Sequence, residues 1–125
     1  MKKSVVVGVD DDIRIRESIA RLAKSAGYTV VMFPSAEALL ASGTLAGAGC
    51  LISDVRMPGM DGLELQRLVS VENPKLPIIL ISGHLDEQVR ERALRAGAAA
   101  FLFKPFDGEE LLGVIQRTIE SDSQT

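Results

Sequence analysis

Four aspartates, a serine and a lysine are the residues of this chain that could do chemistry together. Asp10, Asp11 and Asp12 stand in a row after the apolar run "SVVVGV", and Asp54 directly follows "CLIS". Ser82 closes "PIILIS", and Lys104 follows "AAFLF". If the carboxylates met about 4 Å apart, each pair would repel by roughly 4 kcal/mol at an effective dielectric near 20. A proton, a cationic side chain or a metal must then compensate. Hard carboxylate oxygens without a histidine cluster favour Mg²⁺, which binds through a few carboxylates, waters and often a substrate phosphate. A metal, an ammonium and a hydroxyl around one carboxylate form a donor set suited to a phosphoryl group. Aspartate is itself a covalent nucleophile in phosphoryl transfer.

Whether these side chains meet depends on the elements that carry them. Short apolar runs at 4–9, 28–33, 50–53, 77–82 and 99–103 read as strands, the first of them buried. Between them lie helical spacings. Ile15, Ile19, Leu22, Ala23 and Ala26 predict a first helix closed by Gly27. Ser35 is an N-cap for "AEALLAS", and "GTLAGAG" reads as a small flexible loop. Gly62 to Val71 turns Leu65, Leu68 and Val69 inward, and Pro74 and Pro77 bracket the turn that follows. Asp86 to Ala96 is a weaker helix carrying Val89, Ala93 and Ala96, closed by Gly97. Asp107 and Glu110 form a capping signal for a last helix lined by Leu111, Ile115 and Ile119.

Five strands alternating with five helices imply an α/β fold whose parallel sheet is covered on both faces. Right-handed crossovers favour a flavodoxin-like, doubly wound (βα)5 sandwich with strand order 2-1-3-4-5. Ligands on such a sheet bind beyond the carboxyl ends of the strands, at the switch point between strands one and three. Asp10, Asp11 and Asp12 end strand one and Asp54 ends strand three, so the carboxylates converge. Strands four and five deliver Ser82 and Lys104 beside them. Met57, Pro58 and Gly59 turn the chain away so that Asp54 stays exposed at the rim. Asp12 reads as the start of helix one, favoured there by the helix dipole. Cys50 reads as a small buried hydrophobe.

The bulk numbers narrow the class. A chain of 125 residues with 46% hydrophobic and 25% charged residues is one globular domain. A net charge of −3 offers no footprint for nucleic acid or anionic lipid. With Cys50 the only cysteine, no internal disulfide or cysteine-based zinc site is possible. The apolar run in "MKKSVVVGVDDD" is too short for a signal peptide and nothing reaches transmembrane length, so no membrane role and a cytoplasmic location are expected.

"VDDD", "DVRMPGMDG", "ISGH" and "AGAAAFLFKPF", in this order at these strand ends, resemble the receiver domain of bacterial two-component response regulators. The resemblance runs from about Val5 to Ile119, giving a receiver domain over 1–120 and a polar tail or linker start over 121–125. "SAEALL", "SGH" and "KPFDGEEL" are similar to receivers of the FixJ type. The resemblance implies that Asp54 accepts a phosphoryl group from the phosphohistidine of a sensor histidine kinase. It makes the chain a phosphoacceptor that assists its own phosphorylation and dephosphorylation, not a conventional enzyme. Asp11 and Asp54 would bind Mg²⁺ directly and Asp10 mostly through water, with the backbone carbonyl of Arg56 completing the protein ligands and Mn²⁺ able to substitute.

By the same resemblance Lys104 contacts the acyl phosphate and the Lys104–Pro105 bond is cis. Ser82 moves towards the phosphate and carries the signal to the surface of helix four, strand five and helix five. That surface would control an output domain or downstream partner, in FixJ-type proteins usually a helix-turn-helix domain that regulates transcription. Phosphorylation-dependent homodimerisation through the same surface is a further expectation. Phe101 stands where many receivers have tyrosine; it can pack with Ser82 but has no hydroxyl to bond. Arg56 and His84, two residues beyond Asp54 and Ser82, occupy positions that modulate phosphoform lifetime. Their cationic side chains predict a phosphoform lasting minutes or longer. His84 reads as exposed and not as a ligand, since Mg²⁺ prefers oxygen.

Two other classes fit less well. A haloacid dehalogenase-like phosphohydrolase places a second aspartate two residues after its nucleophile, where this chain has Arg56, and 125 residues leave no room for a substrate cap. A flavin or nucleotide module needs a Gly-rich phosphate loop after strand one, where "VDDDIR" is acidic.

Overall fold

The computed structural model describes residues 5–123, with side chains to residue 120. Strands β1 (Val5–Val9), β2 (Thr29–Phe33), β3 (Cys50–Asp54), β4 (Ile78–Ser82) and β5 (Ala100–Phe103) alternate with helices α1 (Ile13–Ser25), α2 (Ala36–Ser42), α3 (Gly62–Glu72), α4 (Glu87–Arg95) and α5 (Gly108–Ser123). The five strands form one sheet in the order β2-β1-β3-β4-β5, and every pairing is parallel. This is the flavodoxin-like doubly wound arrangement that the alternation predicts.

Successive residues of a strand point to opposite faces; in the central strands β1, β3 and β4 both faces are buried, whereas the edge strands β2 and β5 are mostly half-buried. Val7, Val9, Leu51 and Leu80 pack with Ala36, Leu39, Leu65, Val69 and Ala93 on the side of α2, α3 and α4. Val6, Cys50, Ile52, Ile79 and Ile81 pack with Ile19, Ala23, Leu111, Ile115 and Ile119 on the side of α1 and α5. Two-sided burial is why the strands read as continuous apolar runs and not as alternating ones. Each fully buried Leu or Ile contributes roughly 1.5–3 kcal/mol of transfer free energy, so the central strands are the stiffest base the molecule offers for a site.

Register fixes what reaches the rim. Val9 pairs with Ser53, Asp54 with Ile81 and Ser82 with Phe103. The next residues, Asp10 and Lys104, therefore leave the sheet level with or just beyond Asp54. Side-chain caps start the helices: Asp12, Ser35, Asp61 and Asp86 each accept a backbone N–H of the first turn. Asp107 accepts the N–H of Glu109 at 2.8 Å. Gly27 (φ 92°) and Gly97 (φ 104°) take the left-handed conformation that lets the chain leave α1 and α4.

Several expectations need correction. Ala26 and Ala96 do not face the core; each follows the last helical residue and is exposed. Leu68 is only half-buried, while its neighbour Gln66 is 3% exposed and donates from Nε2 to the Ala93 carbonyl at 3.0 Å. The loop "GTLAGAG" contains a 3₁₀ turn, Thr44–Gly47, entered through Gly43 at φ 74°. α5 continues to Ser123, past residue 120. Ser4 of the predicted first strand, and residues 124 and 125 of the polar tail, lie outside the described residues.

Candidate functional site

Asp10 and Asp54 are buried at the carboxyl ends of adjacent strands, 1% and 6% exposed, while Asp11 is open to solvent. The expected exposure of Asp54 is thus corrected: as the last residue of the fully buried β3 it is covered by its neighbours. One carboxylate oxygen from each lies within 4.8 Å of the others. Lys104 supplies the compensating charge: its Nζ donates to Asp10 Oδ2 at 2.9 Å and stands 3.3 Å from Asp54 Oδ1. The other Asp10 oxygen, Oδ1, accepts the Asp12 N–H at 2.9 Å. Arg16 Nη1 donates to the Asp10 carbonyl at 2.8 Å and braces the turn.

These surroundings shift the charged groups. Burial pushes the Asp54 carboxyl above the usual aspartate value, the Asp10 charge adds to the rise, and Lys104 opposes it. Burial by itself would lower the Lys104 ammonium. Its hydrogen bond to Asp10 and the charges of Asp10 and Asp54 outweigh that and hold it above the usual lysine value. The site thus carries one ammonium against three carboxylates, with Asp11 facing solvent. Hard oxygen donors at this spacing, with one open side and charge left to neutralise, fit a divalent cation.

Asp12 stands apart. It caps α1, and the side-chain and backbone N–H groups of Arg14 hold its carboxyl below the usual range. Ser82 is buried, but its hydroxyl is engaged away from the acids: Oγ donates to the His84 carbonyl at 3.2 Å and accepts the His84 N–H at 3.1 Å. Only its backbone reaches the lysine, through Lys104 N–H to the Ser82 carbonyl at 2.7 Å. The Lys104–Pro105 peptide is cis. Phe101 is half-buried against the α2–α4 core and meets Phe103 edge-on at 5.4 Å. Arg56 and His84 are exposed beyond Asp54 and Ser82. Burial pushes the Cys50 thiol up to about 12, which leaves it inert.

Sequence reasoning missed Gly62. Its N–H donates to the Val55 carbonyl at 2.8 Å. A Cβ at this position would run into the Asp54 carbonyl oxygen and come within 2.9 Å of Val55 Cα. α3 therefore abuts the backbone of Asp54, and only glycine permits it. "DG" after the Pro58-Gly59 turn is the signal that could have revealed this. Arg16 and Glu37 were missed as well. Nothing in the spacing of "IRIR" or "SAEALL" marks them, because Arg16 reaches back to the Asp10 backbone and Glu37 reaches the distant Met60 backbone.

Residues 6–116 match the family model of the response regulator receiver domain. The chain belongs to that family. This receiver is 42% identical over 119 residues to the response regulator protein TodT of Pseudomonas putida, spanning 95% of this chain and 52% of TodT. It is 38% identical over 117 residues to the transcriptional regulatory protein FixJ of Bradyrhizobium diazoefficiens, spanning 94% of this chain and 57% of FixJ. The receiver spans about half the length of these curated relatives. The crystal structure of FixJ-N superposes with a TM-score of 0.84 at 36% identity over 96% of each chain. That of the BeF3-activated DrrB receiver domain superposes at 0.86 and 27% identity, over 93% of this receiver and 97% of DrrB. The receiver is thus a phosphoacceptor switch of two-component signalling on a flavodoxin-like fold, with transcription regulators among its relatives. No helix among the described residues is long and apolar enough to cross a membrane.

Proposed function

We propose that Asp54 accepts a phosphoryl group from a sensor histidine kinase's phosphohistidine in a Mg²⁺-dependent transfer, with Mn²⁺ as a substitute. The observation that carries this is one ammonium, Lys104 Nζ, shared between Asp10 at 2.9 Å and Asp54 at 3.3 Å beside the exposed Asp11. Asp11 and Asp54 would hold the ion directly, Asp10 mostly through water, and the Arg56 carbonyl would complete the protein set. The bound ion would neutralise carboxylate charge and draw a phosphoryl oxygen into the site.

An Asp54 carboxylate oxygen attacks phosphorus and forms the new P–O bond. The P–N bond to the donor imidazole breaks, its electron pair stays on nitrogen, and nitrogen takes up a proton. Lys104 then donates to an oxygen of the acyl phosphate. Hydrolysis by water returns Asp54 and releases phosphate. Burial of Asp54 suits it to this role, since a dry carboxylate is less well solvated than a surface one.

For the signal to leave the site, the Ser82 hydroxyl gives up its two bonds to His84 and turns to the phosphoryl group. That frees the turn before α4 and, with Phe101, alters the α4–β5–α5 surface for an output domain, a downstream protein or a second copy of the chain. The receiver domain runs to the end of α5 at Ser123 and acts in the cytoplasm, without contacting nucleic acid itself. Arg56 and His84 flank the site and set a phosphoform lifetime of minutes or longer, which a half-life of a few seconds in Mg²⁺ would refute. Incubation with phosphoramidate, a small P–N donor, followed by peptide mapping tests the assignment. The label belongs on the peptide carrying Asp54, and a label elsewhere rejects it.

A further inference from the structure

The segment that follows Asp54 is tied down at both ends. Val55 N–H donates to the Ile81 carbonyl at 2.9 Å, and Gly62 N–H closes back on the Val55 carbonyl at 2.8 Å. Between these ties lie Arg56, Met57, Pro58, Gly59, Met60 and Asp61, and Pro58 has no N–H to offer. Within this stretch the Met60 N–H donates across 23 positions of sequence to Glu37 Oε2, at 2.9 Å.

The junction is built from both sides. Gly59 takes a left-handed conformation, φ 76°, and the Glu37 carboxylate occupies the space beside it, with Oε2 2.7 Å from where a Cβ would stand. Glu37 in turn sits on a fixed base. The Ser35 hydroxyl caps α2 by accepting the Ala38 N–H at 3.1 Å, and Ala36 and Leu39, either side of Glu37, are fully buried. A carboxylate accepting a backbone N–H is among the stronger hydrogen bonds a protein makes.

We propose that Glu37 is a positioning residue for the acidic site: it straps the Arg56–Met60 segment to α2 and so presets the Arg56 carbonyl as a ligand for the divalent cation. This rests on the reading of the Asp10, Asp11 and Asp54 cluster as a cation site. Glu37 touches neither cation nor phosphoryl group. Its effect is on how much ordering the segment must undergo when the ion binds, which appears in affinity and not in the rate once the site is filled.

Calorimetric titration of the whole chain with Mg²⁺ alone tests it, on wild type, Glu37→Ala, Glu37→Gln and Gly59→Ala. Glu37→Ala and Gly59→Ala should bind Mg²⁺ about three- to tenfold more weakly, whereas Glu37→Gln, which keeps an acceptor but no charge, stays within about twofold of wild type. Without metal, the Met60 amide should exchange about tenfold faster in Glu37→Ala than in wild type and little faster in Glu37→Gln. Phosphoryl uptake from acetyl phosphate should show a higher half-saturating Mg²⁺ in Glu37→Ala with an unchanged plateau. Equal Mg²⁺ affinity or equal Met60 exchange in Glu37→Ala and wild type would overturn the proposal. So would a Glu37→Gln protein as weak as Glu37→Ala, which would make charge and not the strap responsible. A wild type that binds Mg²⁺ but takes up no phosphoryl group would strike the phosphoacceptor reading alone.

Discussion

Lys104 Nζ stands 3.3 Å from Asp54 Oδ1 while donating to Asp10 Oδ2 at 2.9 Å, so a single ammonium holds together two carboxylates that strands β1 and β3 deliver side by side. Without it the sheet would force two buried like charges together, and with it the pair has a fixed place and one open side. The consequences for stability and chemistry follow from that sharing.

Replacing Lys104 with methionine keeps the aliphatic stem and removes the charge. The lysine side chain is 20% exposed, so the buried-pair penalty is discounted, and a loss of about 2–3 kcal/mol near neutral pH is predicted in the absence of divalent cation. The loss should shrink when Mg²⁺ is added. It should shrink too as pH falls, because the uncompensated carboxylates then bind protons more tightly in the folded than in the unfolded chain. Urea denaturation at two pH values, with and without Mg²⁺, checks this; an identical penalty under all conditions would contradict it.

Asp54→Asn should stabilise the metal-free protein. Asp54 is raised above its ordinary 3.8, first by burial and then by Asp10. Its folded state therefore binds a proton more tightly than the unfolded chain, and the charged form is a burden at neutral pH. That burden is relieved as pH falls through the raised folded value. The variant should gain roughly 1–2 kcal/mol at pH 7, and the gain should fade on acidification. Thermal melts across pH decide it, and a lower melting temperature for the variant at pH 7 goes against the account.

Gly62→Ala places a methyl group against the Asp54 carbonyl. Since the obstacle is backbone, it cannot swing aside. A loss of about 1–3 kcal/mol is predicted, with slower phosphoryl uptake because Asp54 itself must shift. Equal stability and uptake in the variant would mean that α3 does not constrain Asp54.

Ser82→Ala removes a hydroxyl that both donates to and accepts from His84. Stability should fall by about 0.5–1.5 kcal/mol. The variant should still take up a phosphoryl group, but the His84 amide resonance, predicted to move on phosphorylation of the wild type, should move far less. A full His84 response without the hydroxyl would remove Ser82 from the signal path.

The fold was legible because five apolar runs and the capping signals at Gly27, Ser35, Gly97 and Asp107 agree with one topology, and topology alone brings Asp10, Asp11, Asp54 and Lys104 together. What escaped was what sequence spacing does not encode. Ala26 and Ala96 continue the helical period but fall where the chain has already turned out of the helix. Gln66 looks like a surface residue until Ala93 of α4 offers it a buried acceptor. Gly62 matters because of a backbone contact to Asp54, and Glu37 because of a bond to Met60. The Ser82 hydroxyl can rotate, so its position at the strand end does not say which partner it takes.

The central claim is tested most directly by intact-mass measurement of wild type and Asp54→Asn after incubation with acetyl phosphate and Mg²⁺. A single phosphoryl adduct is expected on the wild type, lost when Mg²⁺ is chelated before the donor is added, and no adduct on the variant. An unmodified wild type, or an equal adduct on Asp54→Asn, would contradict it.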